Sequence, residues 1–304
     1  MSFDERGTAS LAGAARPEQS GQAAPRRRAA TLFGWADSFG FSAAGTAVSD
    51  GLEGRPTART VLLGLLVPGI IMLAWWSVTE FTDISAVVLP SPEQVVIAGV
   101  ELAQNGLLGT YVLISLQRVF IGFAIGATVG LLLGALVGLS RTASQLLGPT
   151  LGAIRAVPSL AWVPLLTIYL GIFEEPKITL IAIGAAFPVF TTVAGALRHV
   201  DAHLVEAGRA FGLGHTRLLT TVQLPAVVPS IVSGLRLALA QAWLFLVAAE
   251  LIASSMGLGF LLTDSQNNGR VDRIFLAIIL LAILGKTTDA ILGIGERALL
   301  KRWG

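Results

Sequence analysis

Glu206 to Pro225 read EAGRAFGLGHTRLLTTVQLP. This is the most polar internal stretch of a very apolar chain, and long hydrophobic runs flank it on both sides. Asp201 is placed to cap a first helical piece, in which Leu204, Ala207 and Phe211 fall at helical spacing. Gly212 and Gly214 stop that piece, because glycine adopts bends that other residues resist. Leu218, Leu219 and Val222 carry an apolar face on a second piece, which Pro225 is expected to end. The stretch therefore predicts a helix–turn–helix exposed between two membrane spans, shaped as a docking peg for a partner protein.

The composition agrees with a membrane setting. Of 304 residues, 54% are hydrophobic and 13% charged, which excludes a soluble multi-domain protein. The net charge of +2 is too small to point to nucleic acid. No cysteine is present, so disulfides, thiol nucleophiles and cysteine metal sites are excluded.

Outward from the peg, Ile178 to Leu197 reads as a charge-free fourth span kinked at Pro188, and Val227 to Ala249 as a fifth. Arg236 lies about 13 Å into the fifth span and is expected to snorkel inward or to face a second subunit. A third span is expected from Thr150 to Gly171, interrupted by Pro158 and Pro164, with Arg141 marking a short turn before it. Phe173 to Lys177 reads as an outer loop. The second span lies in Tyr111 to Leu139, where Gly122, Gly126, Gly130, Gly134 and Gly138 recur every four residues. Five small residues in register predict a tight helix–helix seam. The first span is Val61 to Thr79, with Trp75 and Trp76 in the interface belt. Between the first two spans, Ser91, Pro92 and Gln94 form the start signal of a further helix, with Ser91 as N-cap and Gln94 closing a capping box. The sixth span is Ile274 to Gly295, and residues 253–272 before it are read as either an outer loop or a re-entrant lip.

Charge sets the orientation. Residues 80–110 hold four acids and no Lys or Arg, whereas the peg carries Arg198, Arg209 and Arg217, so the peg is expected inside. Arg297, Lys301 and Arg302 put the C-terminus inside, and residues 1–58 read as a disordered cytoplasmic tail rather than a cleaved export signal. The expected fold is all-α and polytopic, with six transmembrane helices in a transmembrane domain over 59–304 and the peg, with its capping residue, at 201–225.

Four charged residues at or within the spans are pathway or gate candidates. Arg118 costs at least ~2.5 kcal/mol in lipid unless it snorkels or finds a partner. Glu250 reads either as the partner of a basic group near an outer gate or as an interfacial carboxylate at a helix end. Lys286 and Asp289, three residues apart, either line a pathway or dimer face or satisfy each other as an ion pair; the second reading is preferred. Other motifs lack a required residue. Gly285-Lys286-Thr287 lacks the upstream glycine of a phosphate loop, since Leu280 stands there. His199 and His203 share a helix face but have Val200 where a zinc hydrolase has Glu, and no third ligand. No catalytic set and no metal or cofactor site is expected.

The peg also resembles a family signature. Permease subunits of bacterial ABC importers carry Glu-Ala-Ala, three residues, Gly, nine residues, then Ile-x-Leu-Pro. Here Glu206, Ala207 and Gly208, then Gly212, then Val222, Leu224 and Pro225 stand at that spacing. Gly208 replaces Ala and Val222 replaces Ile, and Gly208 is expected to loosen the first helix by roughly 1 kcal/mol. Leu89-Pro90-Ser91-Pro92 resembles the pattern before the second span of nitrate, taurine and sulfonate permeases. Ile278 to Ala290 resembles the close of the last span in aliphatic-sulfonate permeases. The resemblance implies a type I ABC importer permease with a second permease copy, most simply an identical one. It also implies an ATP-binding subunit dimer that holds the ATP and Mg and docks on the peg, and an extracytoplasmic substrate-binding protein. The implied cargo is an aliphatic sulfonate, with taurine or nitrate as alternatives. A stand-alone secondary transporter, with Glu250, Lys286 and Asp289 as ion-coupling groups, is the competing class.

Overall fold

A computed structural model describes residues 58–303. The chain divides into two units, Met1–Val67 and Pro68–Gly304. The expected tail over 1–58 and its arginines lie almost entirely outside the described residues. Apart from residues 58–67, the described helices lie in the second unit. All regular structure among the described residues is helical.

α1 (Ala58–Phe81) has Ile70, Ile71, Met72 and Leu73 exposed, the pattern of a helix surrounded by lipid. Near its end Trp75 stacks on Phe275 and donates its Nε1–H to the Pro90 carbonyl at 3.0 Å. α2 (Pro92–Gln104) starts as its sequence requires. Ser91 Oγ accepts from Gln94 N at 3.3 Å, and Gln94 Oε1 accepts from Ser91 N at 3.0 Å.

α3 (Leu107–Leu139), 33 residues long, packs along α6 (Glu175–Arg198), and α9 (Leu224–Ala253) covers the other side of α6. The five glycines of α3 make the first contact possible. A Cβ at Gly122 would sit 2.6 Å from Ile181, at Gly130 2.8 Å from Val189, at Gly134 2.8 Å from Val193 and at Gly138 2.9 Å from Leu197. At Gly126 it would collide with the Ala182 carbonyl. Val119, Ile181, Ala185, Val189, Ala238, Ala242 and Leu246 fill the core so formed. α6 continues through Pro188.

The expected third span is corrected. α4 (Arg141–Ala156) is a separate helix, capped by Ser140 and burying no side chain. A short 3-10 turn (Ser159–Ala161) follows, and α5 (Trp162–Leu170) leaves at 81° to α4. Pro158 has no N–H to donate, so the helix breaks there rather than crossing straight. Arg141 accordingly opens a helix instead of a turn. Among the described residues five helices are long and apolar enough to cross a membrane, and the bent pair makes a sixth if it is counted as one span.

The second piece of the peg is corrected as well. α7 (Ala202–Ala210) is followed by one turn, α8 (His215–Leu218), then a π-helical segment (Leu219–Gln223) and α9. Pro225 does not end the pattern. It lies at the start of α9, directly after the π-helical segment, and the run Thr216–Ile252 is continuous over 37 residues. Residues 253–272 form neither a loose loop nor a lip throughout. α10 (Leu258–Asn267) buries Leu258 and Leu261, and α11 (Val271–Trp303) then completes the bundle.

Candidate functional site

The peg is built around one glycine. Asp201 Oδ1 accepts from His203 N at 2.9 Å and caps α7. At its other end Leu213 N donates to Gly208 O at 3.1 Å, and Gly212 N to Arg209 O at 2.9 Å. That pair of bonds closes a helix through a left-handed residue, and Gly212 has φ +75°. Gly208 is buried, and a Cβ there would lie 2.6 Å from Leu218 Cδ1. The glycine read as a loosening substitution is therefore the contact point between α7 and the segment leading into α9. Val222 closes the same contact from the π-helical segment. The apolar positions of α7 do not face this chain: Leu204 and Ala207 are exposed, and Phe211 is 86% exposed. Glu206 is exposed beside them, and Leu224 and Pro225 start α9.

At the opposite ends of the helices, Arg118 and Glu250 meet. Arg118 is 3% exposed and Glu250 1%, so the reading of Glu250 as an interfacial carboxylate is overturned. Arg118 Nη1 donates to Glu250 Oε1 at 2.7 Å, to Ser254 Oγ at 3.0 Å and to the Met256 carbonyl at 2.6 Å. Its Nε and Nη2 form a two-pronged pair with Glu174 at 2.6 and 2.7 Å. Glu250 also accepts from Ser115 Oγ and from Gly259 N, the latter at 2.7 Å. Lys177 is buried and donates to Glu174 at 3.0 Å. Two cations and two carboxylates thus neutralise one another, which is the condition for burying charge. The cluster ties α3, α6, α9 and the 254–259 segment together. The Arg118 guanidinium bonded to Glu174 holds that carboxyl at about 2, against the pull of partial burial.

Three members are not evident in the sequence. Glu174 and Lys177 lie in a segment that reads as an outer loop, and Ser115 in an apolar run. The available signal is the charge of Arg118, which requires an acid that spacing alone does not identify.

Nearer the peg, Arg236 joins Asp289 at 2.9 Å and Glu296 at 2.9 Å, across α9 and α11. This corrects two expectations. Arg236 has acid partners within its own chain, and Asp289 is shared between Arg236 and Lys286 rather than held by Lys286 alone. Asp289 accepts two bonds from Arg236 Nη2 and one from Nε, whereas Lys286 Nζ stands 3.6 Å away with its side chain 82% exposed. A guanidinium fork fits a carboxylate better than an ammonium on a flexible stem. Lys286 and Asp289 are also far down α11 from Glu250, so the structure does not gather the four in-span charges into one site. Arg270 and Arg273 are both bonded to Glu101, and Arg270 also to Asp272. His199 places Nδ1 2.8 Å from Gly195 O, its own helix carbonyl.

Comparison with known proteins agrees with this geometry. The putative aliphatic sulfonates transport permease protein SsuC of Bacillus subtilis (strain 168) is 40% identical over 238 residues, covering 78% of this chain and 86% of that protein. The taurine transport system permease protein TauC of Escherichia coli (strain K12) is 32% identical over 252 residues, covering 81% and 90%. The inward-facing MetNI methionine ABC transporter has a chain of the same fold, with TM-score 0.54 and 23% identity over 61% of this chain and 92% of that one. The family model for the inner membrane component of binding-protein-dependent transport systems matches residues 126–301. With more than half its length in that match and that degree of identity to a curated member, the chain belongs to the family of binding-protein-dependent transport system inner membrane components.

Proposed function

We propose that this chain is the pathway-forming subunit of an ABC importer for aliphatic sulfonates. The observation that carries the reading is the peg. α7 is a short helix locked at Gly212, seated on Leu218 through Gly208, and presenting Leu204 and Phe211 away from its own chain. An exposed apolar pair on a rigid helix fits insertion into a cleft of a partner. The partner is an ATP-binding subunit dimer, which holds ATP and Mg and does the hydrolysis. Because α8 runs without a break through the π-helical segment into α9, a push on the peg is delivered along a 37-residue rod. Two copies of the chain enclose the pathway, with both termini and the peg on the cytoplasmic side of the bacterial inner membrane. A substrate-binding protein delivers cargo outside. The sulfonate assignment is supported by the identity to the sulfonate permeases over most of the chain.

The test is uptake of an alkanesulfonate and growth on it as sole sulfur source. Gly212→Val strains the left-handed turn by about 1–2 kcal/mol. It should abolish uptake and co-purification of the ATP-binding subunit while leaving membrane insertion intact. Normal uptake by that variant would favour a carrier that works alone. A growth defect on taurine or nitrate only would keep the architecture and overturn the sulfonate.

A further inference from the structure

Beside the peg lies a cavity of about 510 Å³, bounded by the inner ends of α3 and α6, the start of α4 and one side of α7. Its polar lining includes Ser140, Arg141, Ser144, Arg198, Glu206 and Arg209. We propose that this cavity is a binding site for a tetrahedral oxyanion, a phosphate or sulfonate group.

Charge argues first. Three guanidinium groups face the single carboxylate of Glu206, so the lining is cationic. A concave wall of one sign concentrates counter-ions.

Unused donors argue second. Four arginines outside the cavity are satisfied by acids. Arg118 is bonded through all three nitrogens, and Arg236 and Arg270 each hold two acids. Arg273 is held by Glu101. The three arginines of the cavity have no carboxylate partner among the described residues. Arg198 engages only Nη2, with Ser144 Oγ at 2.8 Å and a long contact to Val137 O. Its Nε and Nη1, and the guanidinium groups of Arg141 and Arg209, have no acceptor among the described residues. Ser144 holds Arg198 through Nη2, which leaves Nε and Nη1 as unengaged donors for an oxyanion.

Backbone argues third. α4 begins at this cavity with Ser140 as its cap. Its first turn adds a partial positive charge and N–H donors on the same side as the arginines. An anion seated there would bridge α4, α6 and α7, joining the peg to the break between the second and third spans.

The source is either the headgroup of an anionic lipid or a free oxyanion, the transported sulfonate included. The proposal rests on the importer reading only for the side of the membrane it faces, and binding is measured without transport. The full chain with its ATP-binding subunit is purified in a neutral detergent. Binding of inorganic sulfate and methanesulfonate is measured by calorimetry. Retention of phosphatidylglycerol is measured after transfer through phosphatidylcholine vesicles with and without that lipid. Wild type should bind at least one probe. Arg141→Gln and Arg198→Gln should each weaken binding about tenfold, the loss of one charge-assisted contact. Arg198→Lys should recover part of it. Arg155→Gln, at the far end of α4, should leave binding unchanged. Sulfate binding without lipid identifies a free oxyanion, and phosphatidylglycerol that sulfate does not displace identifies a headgroup. Absence of binding by every probe, or equal loss in the Arg155 variant, would overturn the site. Oxyanion binding that persists in a complex unable to import sulfonates would overturn the transport reading alone.

Discussion

Arg118 shows how a single residue constrains its surroundings. A guanidinium in a span must be neutralised, and here Glu250 and Glu174 both do so. Removing one partner leaves a buried charge unpaired, which typically costs about 3–5 kcal/mol. Glu250→Ala should therefore lower the melting temperature of the detergent-solubilised protein sharply. The double change Arg118→Met with Glu250→Leu should recover much of that loss, because Glu174 and Lys177 remain as a neutral pair. Equal loss in the single and double variants would show that the cluster contributes through shape and not charge. Glu174 gives the pH dependence. Its pKa in the folded chain is lowered from 4.5 to about 2. Its stabilising contribution is thus complete above about pH 4.5 and is lost as pH falls toward 2. Half of its side chain is exposed, so solvent screening makes the effect modest. Melts recorded across that window should decline less steeply for Glu174→Gln than for wild type.

The α3–α6 contact is decided at the scale of the element. Its glycine stripe lets the Ala182 and Ala186 carbonyls and the side chains of Ile181, Val189, Val193 and Leu197 approach the α3 backbone. Gly126→Val should prevent accumulation of folded protein, since neither a carbonyl nor a helix backbone yields to a side chain. Gly109→Ala on the same helix meets nothing within 4 Å and should stabilise by about 0.5–1 kcal/mol, through helix propensity alone. Yield and melting temperature of the two variants compare these directly. The stripe was legible because its period matches the helix. Which helix it receives was not legible, since α1, α9 and α11 are equally apolar. The break at Pro158 was half legible: a proline marks a disturbed helix, but its 81° outcome depends on what packs beside it.

At the scale of the whole molecule, the two charge clusters lie at different levels of one rod. α9 carries Glu250 near its C-terminal end and Arg236 nearer the peg. Motion imposed on α7 therefore reaches a helix pinned at two depths, to α11 by Arg236 and to α3 by Glu250. Arg236→Gln should leave Glu296 without its cation and Asp289 with Lys286 alone, and uncouple the peg from α11. The expected outcome is ATP hydrolysis by the assembled transporter that binding protein and substrate no longer stimulate, read as the ratio of stimulated to basal rate. An unchanged ratio would confine that pair to structural support.

The sequence by itself determined the membrane class, the helical spans, the seam, the capping box and the peg with its hinge at Gly212. Each is a local matter of hydropathy, period or turn chemistry, written within one stretch of chain. The tertiary structure decided the rest: that Arg118 meets Glu250 across 132 positions of sequence, that Asp289 prefers Arg236 to its own neighbour Lys286, and that Gly208 is a contact. In an apolar chain with few charges, the choice among partners is set by which helices pack together. That choice is made by shape along whole helices, and no single stretch contains it.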